Sequence, residues 1–300
     1  MFLVRSSASI FSFFSLSRFC KIVIHGVWPV NNYPWLLLAI FLQINYTICP
    51  HGNFEQPVFQ NKKLLKKLYL KIFLIFAIKN AFKILVFSSK EKKSVKCIFP
   101  SANVLEGKLG ADPLDFRSFR KQPKTYRKNI LFIGRLDPLK GILELVIAYA
   151  QSKAFRNPLI IIGDGCPKFK KLLHQLIHKL MIQKHVKLLG PRSKKNIGSL
   201  FKETKYLVLP SKSESFGLVV AEALANRIPV LTTTATPWAI SSSSKGCFCV
   251  EPSIEGLKRG LLYFNKLQQK KLTKMGKIGQ AYVKKHHSWN TLARLSLKRL

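Results

Sequence analysis

Residues 206–234 read "YLVLPSKSESFGLVVAEALANRIPVLTTT", and the succession of residue types in this stretch decides the fold. "YLVLPS" is short and continuously apolar, which suits a strand; "KSESFG" is a turn; "LVVAEALAN" spaces its apolar positions as a helix does. Pro229 and Val230 then open a second apolar run. Strand, helix, strand, with the strands apolar throughout, is the unit of a parallel sheet covered by helices on both faces. The same stretch holds two carboxylates, Glu214 in the turn and Glu222 in the second turn of the helix, in a chain with 51 Lys and Arg against 13 Asp and Glu.

The pattern continues outward. "NILFIGRL" (129–136), "PLIIIGDG" (158–165) and "VKLLG" (186–190) read as strands, and each is followed by an amphipathic helical segment. In a doubly wound sheet of this kind ligands bind at the carboxyl ends of the strands. Further upstream, "KIVIHGVW" (21–28), "INYTICPHG" (44–52) and "KILVFSS" (83–89) read as three more strands. "PWLLLAIFLQI" (34–44) is shorter than the roughly 20 apolar residues of a bilayer span and reads as a buried helix. Residues 61–83, dense in lysine, form a long helix candidate. It fits a solvated helix over an apolar face and an interfacial helix on anionic lipid equally well. The polar stretch 110–128 reads as a linker, so the expected domains are 1–124 and 125–300.

Composition agrees with a folded, two-domain protein: 300 residues, 47% hydrophobic. The net charge of +38 implies an anionic partner, whether nucleic acid, acidic lipid or phosphorylated small molecules. Six cysteines without CxxC or zinc spacing read as reduced thiols of a cytoplasmic protein. The first 20 residues imitate a signal peptide, but serines interrupt the apolar run and no small-x-small site follows, so secretion is not expected.

The turn before Leu218 carries the chemistry. The N–H groups of Phe216, Gly217, Leu218 and Val219 lie where a helix begins, and such unpaired donors cradle phosphate. Gly217 lets a ligand approach the backbone closely. Glu214 and Glu222 would then meet the two ends of a phosphate-linked ligand.

These residues resemble a known family. Glu214-Ser-Phe-Gly-Leu-Val-Val-Ala-Glu222, followed by Pro229-Val230, is similar to the E-x7-E signature of retaining glycosyltransferases of the GT-B fold, family 4, which use nucleotide-diphosphate sugars. The resemblance implies two Rossmann-like α/β domains, the N-terminal one incomplete, with a C-terminal helix returning to the first domain. It implies that Glu214 meets the donor sugar and Glu222 the ribose hydroxyls. "IGRLDPLKG" (133–141) resembles the family's phosphate-binding loop, in which Arg135 and Lys140, flanked by Gly134 and Gly141, face the diphosphate. Positive charge placed where negative charge develops is the largest catalytic term available to such a site. Gly163 in "IIIGDGCP" matches the glycine turn after the next strand. By the same resemblance His51 in "PHG" faces the donor sugar and His25 lines the acceptor side; for both, a structural histidine at a strand end remains open.

"TATPW" (234–238), "KGCFCVEP" (245–252), "YPWLL", "CPHG" and "HHSWNTLA" (286–293) are similar to a narrower branch that builds lipopolysaccharide and capsule. The sequence departs from the pattern at Asn226-Arg227, where a glycine is usual before Pro-Val, at Phe248, and in "AISSSS" after Trp238. A DxD motif is missing, so no metal or cofactor is expected; Arg135, Lys140 and the helix amides would serve the diphosphate. No serine elbow or Walker loop is present.

The expected function is sugar transfer with retention from a nucleotide sugar to a saccharide or lipid-linked acceptor of the cell surface. The expected place is the cytoplasmic face of the plasma membrane, against an anionic membrane surface and without nucleic acid. Rival readings are a shortened, inactive relative that only binds nucleotide, a sugar-nucleotide epimerase of the same fold, and a basic membrane-surface or nucleic-acid-binding protein.

Overall fold

The computed structural model describes residues 22–27, 30–54, 74–111, 127–239, 245–289 and 292. Two compact units divide the chain, 1–108 and 109–300.

In the first unit, β1 (Ile22–His25), β2 (Tyr46–Cys49), β3 (Lys83–Val86) and β4 (Val104–Glu106) form a parallel sheet in that order. Helices α1 (Tyr33–Phe41), α2 (Ile75–Lys79) and α3 (Ser89–Ile98) connect them. Ile24, Ile48, Ile84 and Val86 pack with Leu36, Ala39, Ala77 and Val95, and the buried Tyr46 hydroxyl donates to the Ala77 carbonyl at 2.5 Å. Two expectations change here. Helix α1 is only half buried, since Leu37 and Phe41 are 52% and 83% exposed. The lysine-rich helix ends at Lys79, because the Phe82 N–H leaves helical geometry to bond Tyr46 O as β3 begins. Residues 61–73 of that candidate lie outside the described residues, as do the first 20 residues, most of the 110–128 stretch and Ser241–Ser244.

The second unit holds β5 (Asn129–Ile133), β6 (Leu159–Ile162), β7 (Val186–Leu188), β8 (Thr204–Leu209), β9 (Val230–Thr233) and β10 (Cys247–Val250). They pair in parallel in the order β10-β9-β8-β5-β6-β7. Helices α4 (Ile142–Ser152), α5 (Pro167–Lys179), α6 (Lys194–Glu203), α7 (Leu218–Ala225), α8 (Ile254–Lys266) and α9 (Gln269–His286) cover it. The expected parallel α/β units are present. The strands are buried on both faces, as β6 and β9 show at every position, which explains their unbroken apolar sequences. Tyr149, Tyr206, Phe132 and Phe264 are among the largest fully buried side chains; the two phenylalanines contribute about 1.5–3 kcal/mol each on burial.

Strand order reverses direction between β5 and β8: the chain runs outward through β6 and β7, then returns to the other side of β5. A crevice outside the carboxyl ends forms at such a switch point. The loops after β5 and β8 are "GRLDPLKG" and "PSKSESFG".

Helix α9 meets its neighbours backbone to backbone. A side chain at Gly276 would overlap the Arg227 carbonyl, and one at Gly279 would come within 2.5 Å of Leu224 and 3.0 Å of the Lys245 carbonyl.

Candidate active site

Asp137 shapes the loop after β5. Its carboxylate accepts from the N–H groups of Leu139 and Lys140 at 2.9 and 3.2 Å, capping a single 3-10 turn whose first residue is Pro138. Asp followed by Pro is a helix-start signal legible in sequence. The turn ends at Gly141 in the left-handed region (φ 64°), where a side chain would overlap the Pro210 carbonyl. Lys212 N–H donates to Leu139 O at 2.8 Å and Lys212 Nζ meets Glu144 at 2.5 Å. The loops after β5 and β8 are thereby locked together.

That lock sets Lys140 against Glu214. Nζ lies 2.6 Å from Oε2, and Ser211 Oγ stands 3.3 Å from the same oxygen. Both side chains are mostly buried. Buried Thr232 and Thr233 on β9 donate to the carbonyls of Leu209 and Ser211, fixing the loop's origin. Gly217 (φ 76°) turns the chain into α7, a conformation that disfavours side chains. A Cβ there would press on Leu209, Glu214 and Trp238. Phe216 is buried, Leu218 is 42% exposed, and Glu222 sits in the second turn of α7. Burial pushes the Glu222 carboxyl above its ordinary value, with Lys194 pulling partly the other way.

Trp238 holds this loop. Its indole N–H donates to Phe216 O at 2.6 Å, and its ring packs with Phe216, Tyr282 and His287. His287 in turn packs on Phe216, its ring centroid 5.3 Å away.

Arg135 is placed apart from the Lys140–Glu214 pair. It is 78% exposed and pairs with Asp137 at 3.0 Å. The two cations expected to share one anion thus each face a carboxylate. Arg135 and Asp137 also line a cleft of about 450 Å³ with Asp164, Cys166, Lys168 and Phe169. Lys140, Glu214 and Glu222 do not line it. Gly134 and Gly163 end adjacent strands, and the Gly134 carbonyl occupies the space a side chain at Gly163 would need.

His51 belongs to the first unit. Its Nε2 lies 2.7 Å from His25 Nδ1, and its ring stacks between those of His25 and Phe87 at 5.1 and 5.3 Å. Both residues keep an exposed face; partial burial lowers both imidazoles below the ordinary histidine value, and the proximity of His25 lowers His51 further.

The departures at 227 and 248 have structural counterparts. Arg227 adopts φ 57°, a conformation that glycine takes readily. Its carbonyl accepts from Arg127 and its Nε donates to Gln280. Phe248 stacks on Tyr263 at 4.2 Å within ordinary strand geometry.

A family model described as "Glycosyl transferases group 1" matches residues 115–282. The chain belongs to this family. Among solved structures, the Anabaena protein HepE in complex with UDP-glucose has a TM-score of 0.76 at 19% identity, over 96% of this chain and 81% of that one. Sucrose-phosphate synthase from Thermosynechococcus elongatus gives 0.73 at 18%, over 95% and 74%. These likenesses show the fold, the two-sheet GT-B arrangement. A D-inositol 3-phosphate glycosyltransferase of Corynebacterium kroppenstedtii is 28% identical over 166 residues, 52% of this chain and 37% of the relative. The matched part spans well under two thirds of such curated relatives. Family membership accounts for the pairing of "GRLDPLKG" with "SESFGLVVAE" at a switch point. Thr232 and Thr233 act through bonds between strands, which leave no local mark in the sequence, whereas Asp137 is marked by the proline after it.

Among the described residues no group of three or more His, Cys, Asp or Glu could hold a metal ion, and no helix is long and apolar enough to cross a membrane.

Proposed function

We propose that the chain is a retaining, family 4 glycosyltransferase that moves a sugar from a nucleoside-diphosphate donor to a hydroxyl of a lipopolysaccharide or surface-polysaccharide acceptor. The observation that carries the reading is the convergence at one switch point of Lys140, Glu214 and the start of α7. A cation and helix N–H groups suit a diphosphate, and a carboxylate beside them suits sugar hydroxyls. The UDP-glucose held by the Anabaena protein supports a nucleotide-sugar donor.

In the proposed reaction the bond between the anomeric carbon and the diphosphate breaks, its electrons leaving with the nucleoside diphosphate. The acceptor oxygen forms the new bond on the same face, and its proton passes to the departing phosphate. Lys140, Arg135 and the amides of Phe216, Gly217 and Leu218 stabilise that charge. Glu214 and His51 orient the sugar and Glu222 binds the ribose. Gly134 and Gly163, packed backbone to backbone where β5 and β6 end, would offer main-chain groups to the diphosphate. No cofactor or metal takes part in this scheme; the nucleotide sugar is the substrate.

The Thr-Pro-Trp loop and Gly246-Cys247 favour the surface-saccharide branch. The charge of +38 suits work at the anionic cytoplasmic face of the plasma membrane. Calorimetric titration with UDP, GDP, ADP and CMP, followed by UDP-glucose turnover assays on polysaccharide and inositol phosphate acceptors, tests the proposal. Selective binding weakened by Glu222→Ala and Arg135→Ala supports it. A folded chain with no saturable nucleotide binding overturns it.

A further inference from the structure

In the first unit a carboxylate is fully shielded from water. Glu91, at 0% exposure, lies in the first turn of α3. Ser88 caps that helix by accepting the Glu91 N–H at 3.1 Å. Ser88-x-x-Glu91 has the spacing of a capping box, in which the glutamate folds back onto the cap residue's own N–H. Two bonds of this carboxylate go elsewhere. Oε2 accepts from Phe87 N–H at 2.9 Å, and Oε1 accepts from Gly52 N–H, 39 positions away in sequence.

Gly52 directly follows His51, and both are left-handed, with φ of 76° and 53°. For a residue with a side chain that region costs about 1–2 kcal/mol, so the turn needs an external hold. Phe87, the other donor, is the residue whose ring stacks on His51. One carboxylate therefore grips the chain beside the imidazole and the chain behind the ring that packs against it. Burying a carboxyl group without hydrogen bonds costs several kcal/mol, more than a simple helix cap returns. The positive end of α3 and the N–H donors offset that cost.

We infer that Glu91 is the positioning residue for His51, fixing the left-handed turn and the His25–His51–Phe87 stack. The inference rests on the proposed role of His51 toward the donor sugar.

The test uses the full chain with nitrogen-15-labelled histidine. The 2.7 Å bond between His25 Nδ1 and His51 Nε2 needs one ring to donate and the other to accept, so the tautomers of the two rings are coupled in the parent protein, which the nitrogen shifts report. Glu91→Gln places an NH2 group against an N–H. It is expected to uncouple the tautomers and to lower kcat about a hundredfold, the cost of misplacing a reacting group by an ångström, with KM for the donor nearly unchanged. Ser88→Ala removes the helix cap without touching Gly52; it is expected to lower Tm while leaving tautomers and kcat as they were. Should Glu91→Gln fail to fold, Glu91→Asp, one methylene too short to hold both N–H groups, gives the same readout. Coupled tautomers in a destabilised but folded Glu91 variant would show a cap and nothing more, and the inference fails. A parent protein without transfer activity sinks the reaction scheme, yet the tautomers still decide the role of Glu91.

Discussion

Lys140 Nζ lies 2.6 Å from Glu214 Oε2, with 17% and 12% of the two side chains exposed. The pair joins the loops after β5 and β8, so charge balance and loop geometry depend on each other there. Removing one partner of a mostly buried ion pair leaves the other uncompensated, at a cost of about 3 kcal/mol. Lys140→Ala and Glu214→Ala should each lower the urea midpoint, and the double variant should lose less than the two added together. Additive losses would show that the pair is not coupled. Lys140→Ala should also weaken nucleoside-diphosphate binding by roughly tenfold to a hundredfold, the worth of a charged hydrogen bond.

Glu222 gives a prediction with opposed signs. Its carboxyl is raised above the ordinary 4.5 by burial, so the folded state holds the proton more tightly than the unfolded chain. Stability from this group is present below that value and is lost as pH rises through the raised pKa. Glu222→Gln should therefore be more stable than the parent at pH 7 and equal to it at low pH, while binding nucleotide less well. Thermal melts at several pH values, with calorimetry, read both; a variant destabilised at pH 7 contradicts the burial argument.

The two histidines of the first unit run the other way. Both are lowered by burial, so their contribution is present above the unfolded value of 6.5 and is lost as pH falls through the folded values. Melting temperature should drop below pH 6.5, and less steeply in His25→Ala. An unchanged slope in that variant would remove the pair as the cause.

Trp238→Phe keeps an aromatic ring but leaves the Phe216 carbonyl without its indole donor. The expected loss is about 1–3 kcal/mol, with a higher KM for the donor because the Glu214 loop loosens. A KM equal to that of the parent would separate Trp238 from the loop's function.

Arg227→Gly relieves a left-handed residue at φ 57°, a strain of about 1–2 kcal/mol, and should raise stability by what remains after the added entropy of the unfolded chain and the lost contact with Gln280. Differential scanning calorimetry decides the sign.

Much of the second unit was legible because its strands are buried on both faces and its loops carry charge in fixed places. "YLVLPS" and "PLIIIGDG" have no solvent side to interrupt the apolar run, and Glu214, Lys140 and Gly217 stand out against it. The strand order was not legible: nothing in 129–136 announces that β5 pairs with β8 as well as β6. Pairing depends on contacts distant in sequence. Arg135 was expected to share the diphosphate with Lys140 because "IGRLDPLKG" resembles the family's phosphate-binding loop, but in the structure it pairs with Asp137. Ser88-x-x-Glu91 shows in sequence only the spacing of a helix cap; the reach of Glu91 to Gly52 exists only in the folded sheet.

The glycines of α9 make that helix a key in a slot. A slide of one position against α7 would drive Lys277 or Ile278 into space that only Gly276 and Gly279 leave open. Packed elements that shear need a smooth seam, and this one is notched. The helix bearing Glu222 and the helix leading to His287 are therefore held in one register, and a substitution at either glycine would act on both.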